Sequence, residues 1–500
     1  MTSWLVTFLG TIALVVAWWN PSTSVGAALG WTSTALFAVA LHDPRHRIRR
    51  FFLAGIFGYT GGFYWLCGTI SDFGGFPALP TFAVFSLYAV VSAFQFVIFA
   101  FIRGRAVNWM ERSGLALPLS WLIAHEFWIK LFPWDFGHTQ LGFLSFAQLA
   151  GITGVSGITF VMFWLVESLC NRKVVSLQAR ILSVLTFLTA LGYGIWVQDS
   201  LRLTIAKSPS LSAALIQGNV SLEEKHNKTF FTINREHYLA SSALVSKADT
   251  LIVWPESVIT DSVPSNVSHV TQSRFLPFIG DGSIFLVGAL TRQSDFIYHN
   301  SSLLIRADGS VDTPYHKIIL LPFGEYMPFS QYSRWLRDLN GPFIQLTPGT
   351  IPRVMSYTTS TGQEVKLSPL VCYEDILPAL GKTATMLGAQ VLINQTNDAW
   401  FGDSVAPYQH HAIASFRAIE NRRYLLRSTN TGLTAVVDPT GKTLAQLLPY
   451  TESVLQMEIS LLNYRSFYTN MPVEMIWTIL AAISTAVLLF SSLRFRQKVL

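Results

Sequence analysis

Before residue 200 the apolar positions run on almost without interruption. Seven stretches, at roughly 4–19, 24–41, 51–70, 81–102, 115–132, 145–170 and 179–197, carry few charges, and an eighth covers about 475–493. Most approach the ~20 residues that a helix needs to cross a hydrocarbon core. The pattern predicts a multi-pass α-helical membrane domain with eight transmembrane helices. The first two stretches are short and parted only by Asn20-Pro21-Ser22-Thr23. The first has no basic leading region and no small-residue cleavage site before the second, so it reads as a retained helix.

From about residue 209 the pattern shortens. Leu211–Gln217, Thr250–Trp254, Ile284–Leu290, Ser301–Arg306, Lys366–Val371, Ala389–Asn394, Tyr424–Ser428 and Leu433–Val437 read as strands. Segments 227–246, from Cys372 to about 387, and 407–422 read as helices. Strands and helices mixed along one chain predict α/β layers, and roughly 270 residues suffice for a separate core. The predicted organisation is 1–197 for transmembrane helices 1–7, 198–470 for an extramembrane domain, and 471–500 for helix 8 with its tail.

The few charges fix the orientation. Arg45, Arg47, Arg49 and Arg50 follow the second stretch; Arg103, Arg105 and Arg112 the fourth; Arg172, Lys173 and Arg180 the sixth; Arg494, Arg496 and Lys498 the eighth. The loops near 20–23, 71–80 and 133–141 carry no Lys or Arg. The positive-inside rule then predicts both termini in the cytoplasm and 198–470 on the far side, the periplasm of a bacterial inner membrane. Composition agrees, with 51% hydrophobic and 13% charged residues. The net charge of +6 does not signal nucleic acid, because the arginines sit in short loops and no nucleic-acid motif is present.

Cys67 and Cys170 fall in apolar stretches, where packing is the expected role. Cys372 alone lies in the polar part, with no obvious disulfide partner in an oxidising compartment. In the fifth stretch Glu126, beside His125, has two readings: an interhelix hydrogen bond or a place on a substrate path. Trp128, Trp134 and Phe136 read as interfacial anchors or as the border of a lipid entry route.

Pro369–Asp375 reads as a buried strand end, a cysteine at its tip and an acidic helix start. A thiolate there gains from helix N–H groups and the dipole; equally, a buried structural cysteine can precede a capped helix. Glu256, after Leu251-Ile252-Val253-Trp254-Pro255, and Lys317, in Pro314-Tyr315-His316-Lys317, also follow strands. The trio suits acyl transfer through a thioester. A thiol of pKa ~8.5 needs a base, which a partly buried carboxylate supplies. The oxyanion formed on attack is stabilised by a fixed ammonium, typically by ~3–4 kcal/mol. The histidines are scattered, and His410-His411 reads as a solvated helix face, so no metal is expected. With no Gly-rich phosphate loop, no nucleotide or other cofactor is expected either.

Trp254-Pro255-Glu256-Ser257, Tyr315-His316-Lys317 with Leu321-Pro322-Phe323-Gly324-Glu325, and Val371-Cys372-Tyr373-Glu374 resemble the Glu-Lys-Cys triad blocks of the nitrilase superfamily. Asn397-Asp398-Ala399-Trp400-Phe401-Gly402 and Arg427-Ser428-Thr429-Asn430-Thr431-Gly432 strengthen the likeness. With seven spans before that domain and one after, the whole chain resembles the membrane-embedded branch, the apolipoprotein N-acyltransferases. The resemblance implies a nitrilase-like α-β-β-α sandwich on an eight-helix base. It implies a phospholipid acyl donor, typically phosphatidylethanolamine, and a diacylglyceryl-apolipoprotein acceptor. Cys372 would carry the acyl group as a thioester, Glu256 would act as base and later acid, and Lys317 would stabilise the oxyanion. Glu325 would orient the lysine, Tyr373 and Glu374 would shape the site, and Trp400 would lie on a mobile loop beside it. The chain is expected to be a monomer. One departure stands out: where the family shows Lys-Trp, this chain has Lys225-His226, so no role is carried to His226.

Two other readings exist. A membrane-tethered amidase or nitrilase would use the same trio with water as acceptor, although one anchor would then suffice. A transporter or sensor would put function in the helices, where only His125 and Glu126 offer an ionisable pair. Phe323–Phe329 and Gly341–Pro348 read as lid arms or as ordinary surface loops.

Overall fold

The computed structural model describes residues 2–322, 324–326 and 345–497. Of the two segments read as lid arms, Phe323, 327–329 and 341–344 lie outside the described residues, as does the side chain of His226.

Thirteen strands occur among the described residues: β1 (Ser210–Gln217), β2 (Leu251–Val253), β3 (Ile259–Pro264), β4 (Ile284–Ser294), β5 (Ile297–Ile305), β6 (Tyr315–His316), β7 (Met355–Thr358), β8 (Glu364–Val371), β9 (Val391–Thr396), β10 (Tyr424–Thr429), β11 (Ala435–Val437), β12 (Thr443–Gln446) and β13 (Ser453–Ser460). One sheet runs β13-β1-β2-β4-β5-β6, with β3 on β4; the other runs β12-β11-β10-β9-β8-β7. The central strands are near-continuous apolar runs because each sheet is covered on both faces. Alternation then divides the work. Leu211, Leu215, Val253 and Leu286 meet Leu367, Val371, Ile393 and Leu426 between the sheets. Ile216, Ile252 and Phe285 face outward with Tyr238 of the helix Phe231–Ala243. Leu370, Leu392 and Leu425 face Ala384, Ala414 and Ala418 of the helices Pro378–Met386 and Ala406–Asn421. These layers form an α-β-β-α sandwich.

Among the described residues six helices are long and apolar enough to cross a membrane: Thr2–Trp19, Ser24–His42, Ala78–Arg103, Ala150–Cys170, Leu177–Lys207 and, at the far end, Val473–Ser491. The third and fifth apolar stretches form the shorter helices Arg47–Gly62 and Ala116–Phe127. The third breaks at Phe63 and resumes as Leu66–Gly74. Trp134 and Phe136 are buried in an aromatic core with Trp121 and Phe163, and so are not surface anchors. Glu126 accepts from Thr478 Oγ1 at 3.0 Å, the interhelix bond of the two readings.

The helix Ala406–Asn421 overturns another expectation. It is buried at every position but Tyr408, His410 and His411 included, and neither histidine presents a solvated face. The reason is position: Ala414 and Ala418 pack on the second sheet, while Ala412, Ile413, Phe416 and Ile419 join the core of the membrane base. At its start Gln409 accepts from Trp65 Nε1 at 2.9 Å and donates to the carbonyls of Gly62 at 2.9 Å and Trp18 at 3.2 Å. Replacing Gln409 by Leu keeps the volume but strands these buried groups. It should destabilise the protein by about 2–4 kcal/mol, read as a lower melting temperature in detergent. A variant melting with the parent would mean that apolar packing alone joins the domain to its base.

Candidate active site

Parallel strands deliver the expected residues to one edge. β2 pairs with β1 and β4 in parallel, as β8 does with β9, so their C-terminal ends lie together. Glu256 follows β2, Lys317 follows β6 and Cys372 follows β8. The loop carrying Glu256 lies so close to β4 that a Cβ on Gly288 would sit 2.2 Å from the Pro255 carbonyl and 2.8 Å from Glu256 Cα. Only glycine allows that approach.

The centre is a buried ammonium between two carboxylates. Lys317 Nζ lies 2.7 Å from Glu325 Oε2 and 3.4 Å from Glu256 Oε1. Asn300, on β5, splits its amide between the same acids, donating to Glu256 Oε1 at 2.7 Å and Glu325 Oε1 at 3.0 Å. The Leu321 N–H adds a bond to Glu325 Oε2 at 2.8 Å. Burial would lower the Lys317 pKa, but Glu325, Cys372 and Glu256 outweigh it and hold the group well above its usual range. Lys317 is therefore a fixed cation and not a base. Lys225 donates to the Glu256 carbonyl at 2.9 Å. Burial brings its pKa down to about 8, against the pull of Glu256 and Cys372.

Cys372 is not at an α-helix N-terminus. A 3-10 turn spans Cys372–Ile376, and the helix starts at Pro378, whose ring suits a first helical position. Cys372 (φ 52°) and Ser257 (φ 50°) are both left-handed, a strain of about 1–3 kcal/mol each that surrounding structure must impose. Glu374 supplies part of that imposition: its carboxylate accepts from the N–H groups of Val371 at 2.7 Å, Ile318 at 2.6 Å and Ile319 at 3.2 Å, and from Tyr315 OH at 2.8 Å. The cysteine turn and the lysine loop are thus tied through one side chain. Tyr373 donates its hydroxyl to the Leu131 carbonyl of the base, and its ring lies 6.2 Å from Phe132. Trp400 lies in the turn Asp398–Phe401, where its carbonyl accepts from Thr69 at 3.0 Å. Phe401 packs on Trp65 at 4.9 Å.

Burial pushes the Cys372 thiol far above its ordinary range; Glu256 and Glu325 push the same way, and Lys317 and Thr396 oppose them. The resting pair is a neutral thiol beside carboxylates. A thiol, two carboxyl groups and a fixed cation share one enclosure, a set that can serve acyl transfer.

The sequence profile of the carbon-nitrogen hydrolase family matches residues 212–468, and that of the apolipoprotein N-acyltransferase N-terminal domain matches 12–168. An apolipoprotein N-acyltransferase of Geobacter metallireducens is 29% identical, covering 99% of this chain and 96% of its own. One from Photobacterium profundum is 30% identical, covering 84% of this chain and 82% of its own. The chain belongs to the apolipoprotein N-acyltransferase family. Among solved structures, an amidase from Nesterenkonia sp. is 20% identical with a TM-score of 0.38, covering 54% of this chain and 97% of that one.

For this apolipoprotein N-acyltransferase relative, the sequence reading missed Asn300 and the buried contact of Lys225. Asn300 had a signal: the run His299-Asn300-Ser301-Ser302 is polar inside an otherwise apolar strand, and all four are buried. Lys225 had none beyond its place in the Lys225-His226 departure. In a background lacking Cys67 and Cys170, alkylation of Cys372 by iodoacetamide should still accelerate above about pH 9, where an ordinary thiol of pKa ~8.5 levels off. Lys317→Met removes a group that lowers the thiol's pKa and should move the profile higher. A plateau near about pH 8 would contradict the neutral resting thiol.

Proposed function

We propose that this chain moves an acyl chain from a phospholipid, typically phosphatidylethanolamine, to the α-amine of the diacylglyceryl-cysteine that begins an apolipoprotein. The product is the triacylated lipoprotein. Cys372 attacks the lipid ester while Glu256 takes its proton, and the oxyanion forms against Lys317, held by Glu325. The alcohol leaves with the proton from Glu256. The amine then attacks the thioester, Glu256 receives its proton, and the thiol is restored. Tyr373 and Glu374 keep the thiol turn in shape, and Trp400 borders the acyl path on a mobile loop.

The observation that carries this reading is the bond from Tyr373 to Leu131. The residue next to the nucleophile touches the apolar base, amid Phe63, Trp65, Phe132 and Phe401. A lipid chain suits that floor better than a small soluble amide, the substrate of the amidase alternative. The same reading takes all eight apolar helices as spans of a bacterial inner membrane, with both termini cytoplasmic. Residues 1–197 hold spans 1–7, 198–470 form the periplasmic catalytic domain, and 471–500 hold span 8. The enzyme works as a monomer.

Protein incubated with phosphatidylethanolamine should accumulate a hydroxylamine-sensitive acyl adduct on Cys372. Cys372→Ala should form none, and Lys317→Met should slow adduct formation by about 10²–10³-fold. An adduct on Cys372→Ala would refute the assignment. Turnover of small amides without any lipid adduct would favour the amidase.

A further inference from the structure

Strand β9 changes character halfway along. Val391-Leu392-Ile393 is apolar and Asn394-Gln395-Thr396 is polar, yet all six residues are buried. A buried amide is costly unless it is hydrogen-bonded, and the two amides here hold main-chain carbonyls. Gln395 reaches across to the other sheet. It donates to the carbonyls of Trp254 at 2.6 Å and Leu286 at 3.2 Å, and accepts from Ser302 Oγ at 2.5 Å. The strand that leads to Glu256 is thereby tied to β9. Asn394 faces the other way, with Leu392. It donates to the carbonyls of Leu370 at 2.9 Å and Cys372 at 3.1 Å.

Those two bonds grip the nucleophile's own backbone. An extended strand repeats its carbonyls on one side every ~6.6 Å, too far apart for one nitrogen to reach both. The left-handed turn at Cys372 (φ 52°) brings them together. Both partners are acceptors, so only the nitrogen side of the amide can face them. The amide oxygen has no partner among the described residues, a cost that a leucine of like volume would avoid. The peptide after Cys372 is trans, so the Tyr373 N–H points away from the carbonyl that Asn394 holds. As an early donor of the 3-10 turn Cys372–Ile376, that N–H finds no acceptor within the turn.

We propose that Asn394 is a positioning residue for acyl transfer: by holding the Cys372 carbonyl it keeps the Tyr373 N–H turned toward the reacting carbonyl, as a donor to the oxyanion beside Lys317. This rests on Cys372 being the acyl carrier. As the sulfur bonds the ester carbon, the thiol proton goes to Glu256 and the π pair of the carbonyl moves onto oxygen. The oxyanion takes hydrogen bonds from Lys317 and the Tyr373 N–H. On its collapse the ester C–O bond breaks, and the alcohol leaves with the proton from Glu256. Without Asn394 the Cys372–Tyr373 peptide can rotate, while Glu374 still holds the strand end at Val371.

The test compares two reactions of one thiol, in full-length protein lacking Cys67 and Cys170. Alkylation by iodoacetamide creates no oxyanion; acylation by phosphatidylethanolamine does. Asn394→Leu should slow the acyl adduct by about tenfold to a hundredfold, while alkylation stays within about threefold of the parent. Asn394→Asp regains a donor only when its carboxyl is protonated. Its acylation rate, as a fraction of the parent's at each pH, should therefore fall as pH rises; Glu256, Lys317, Glu325 and Lys225 are common to both proteins. Parental acylation in Asn394→Leu, or equal slowing of both reactions, overturns the proposal. If that variant lacks a melting transition, Asn394→Asp decides, and a ratio constant across pH overturns the proposal. A parent that is alkylated but never acylated overturns the acyl-transfer reading and this role with it, whereas the outcomes in the variants bear on Asn394 alone.

Discussion

The site depends on one ammonium held away from water. Removing a charge such as that of Lys317 from solvent costs several kcal/mol unless partners surround it, and here Glu325 and Glu256 do so at 2.7 and 3.4 Å. Because the lysine must be compensated, Glu256 is fixed beside it, and Asn300 donates one hydrogen bond to each acid. Burial, reinforced by Glu256 and Glu325, then keeps Cys372 protonated. An idle thiol is thereby protected from oxidation, since the thiolate is the reactive form.

Much of this was legible because strand chemistry is local. Glu256 and Cys372 each stand just past an apolar run, and their parallel strands end at a common edge; Lys317, after the two-residue strand β6, was legible only through its motif. What escaped was whatever depends on the opposite wall. His410 and His411 looked solvated because a helix with polar residues usually has water on one side; here the base replaces that water. Cys372 looked like a helix start because acidic residues follow it, yet Pro378 marked the true first turn. Glu374 was assigned to the site, but its purpose lies in donors from a loop far away in sequence, Ile318 and Ile319, which no spacing rule connects to it.

Glu374 also answers a question raised by the backbone. Left-handed Cys372 cannot rely on a helix terminus to hold its turn. The carboxylate does so by gathering the strand end at Val371 and the loop after Lys317 into one unit. Cys372 and Lys317 are therefore held at a fixed separation through one side chain.

The helix Ala406–Asn421 has a consequence for how the molecule is made. Its inner face completes the sandwich and its outer face completes the base, so neither part has a finished surface without the other. Ribosomal synthesis proceeds from the N-terminus, and the helices before residue 200 emerge first. The platform on which Ala412, Ile413, Phe416 and Ile419 settle has thus already been made when they follow. A catalytic half expressed by itself would present those side chains to water and would be prone to self-association.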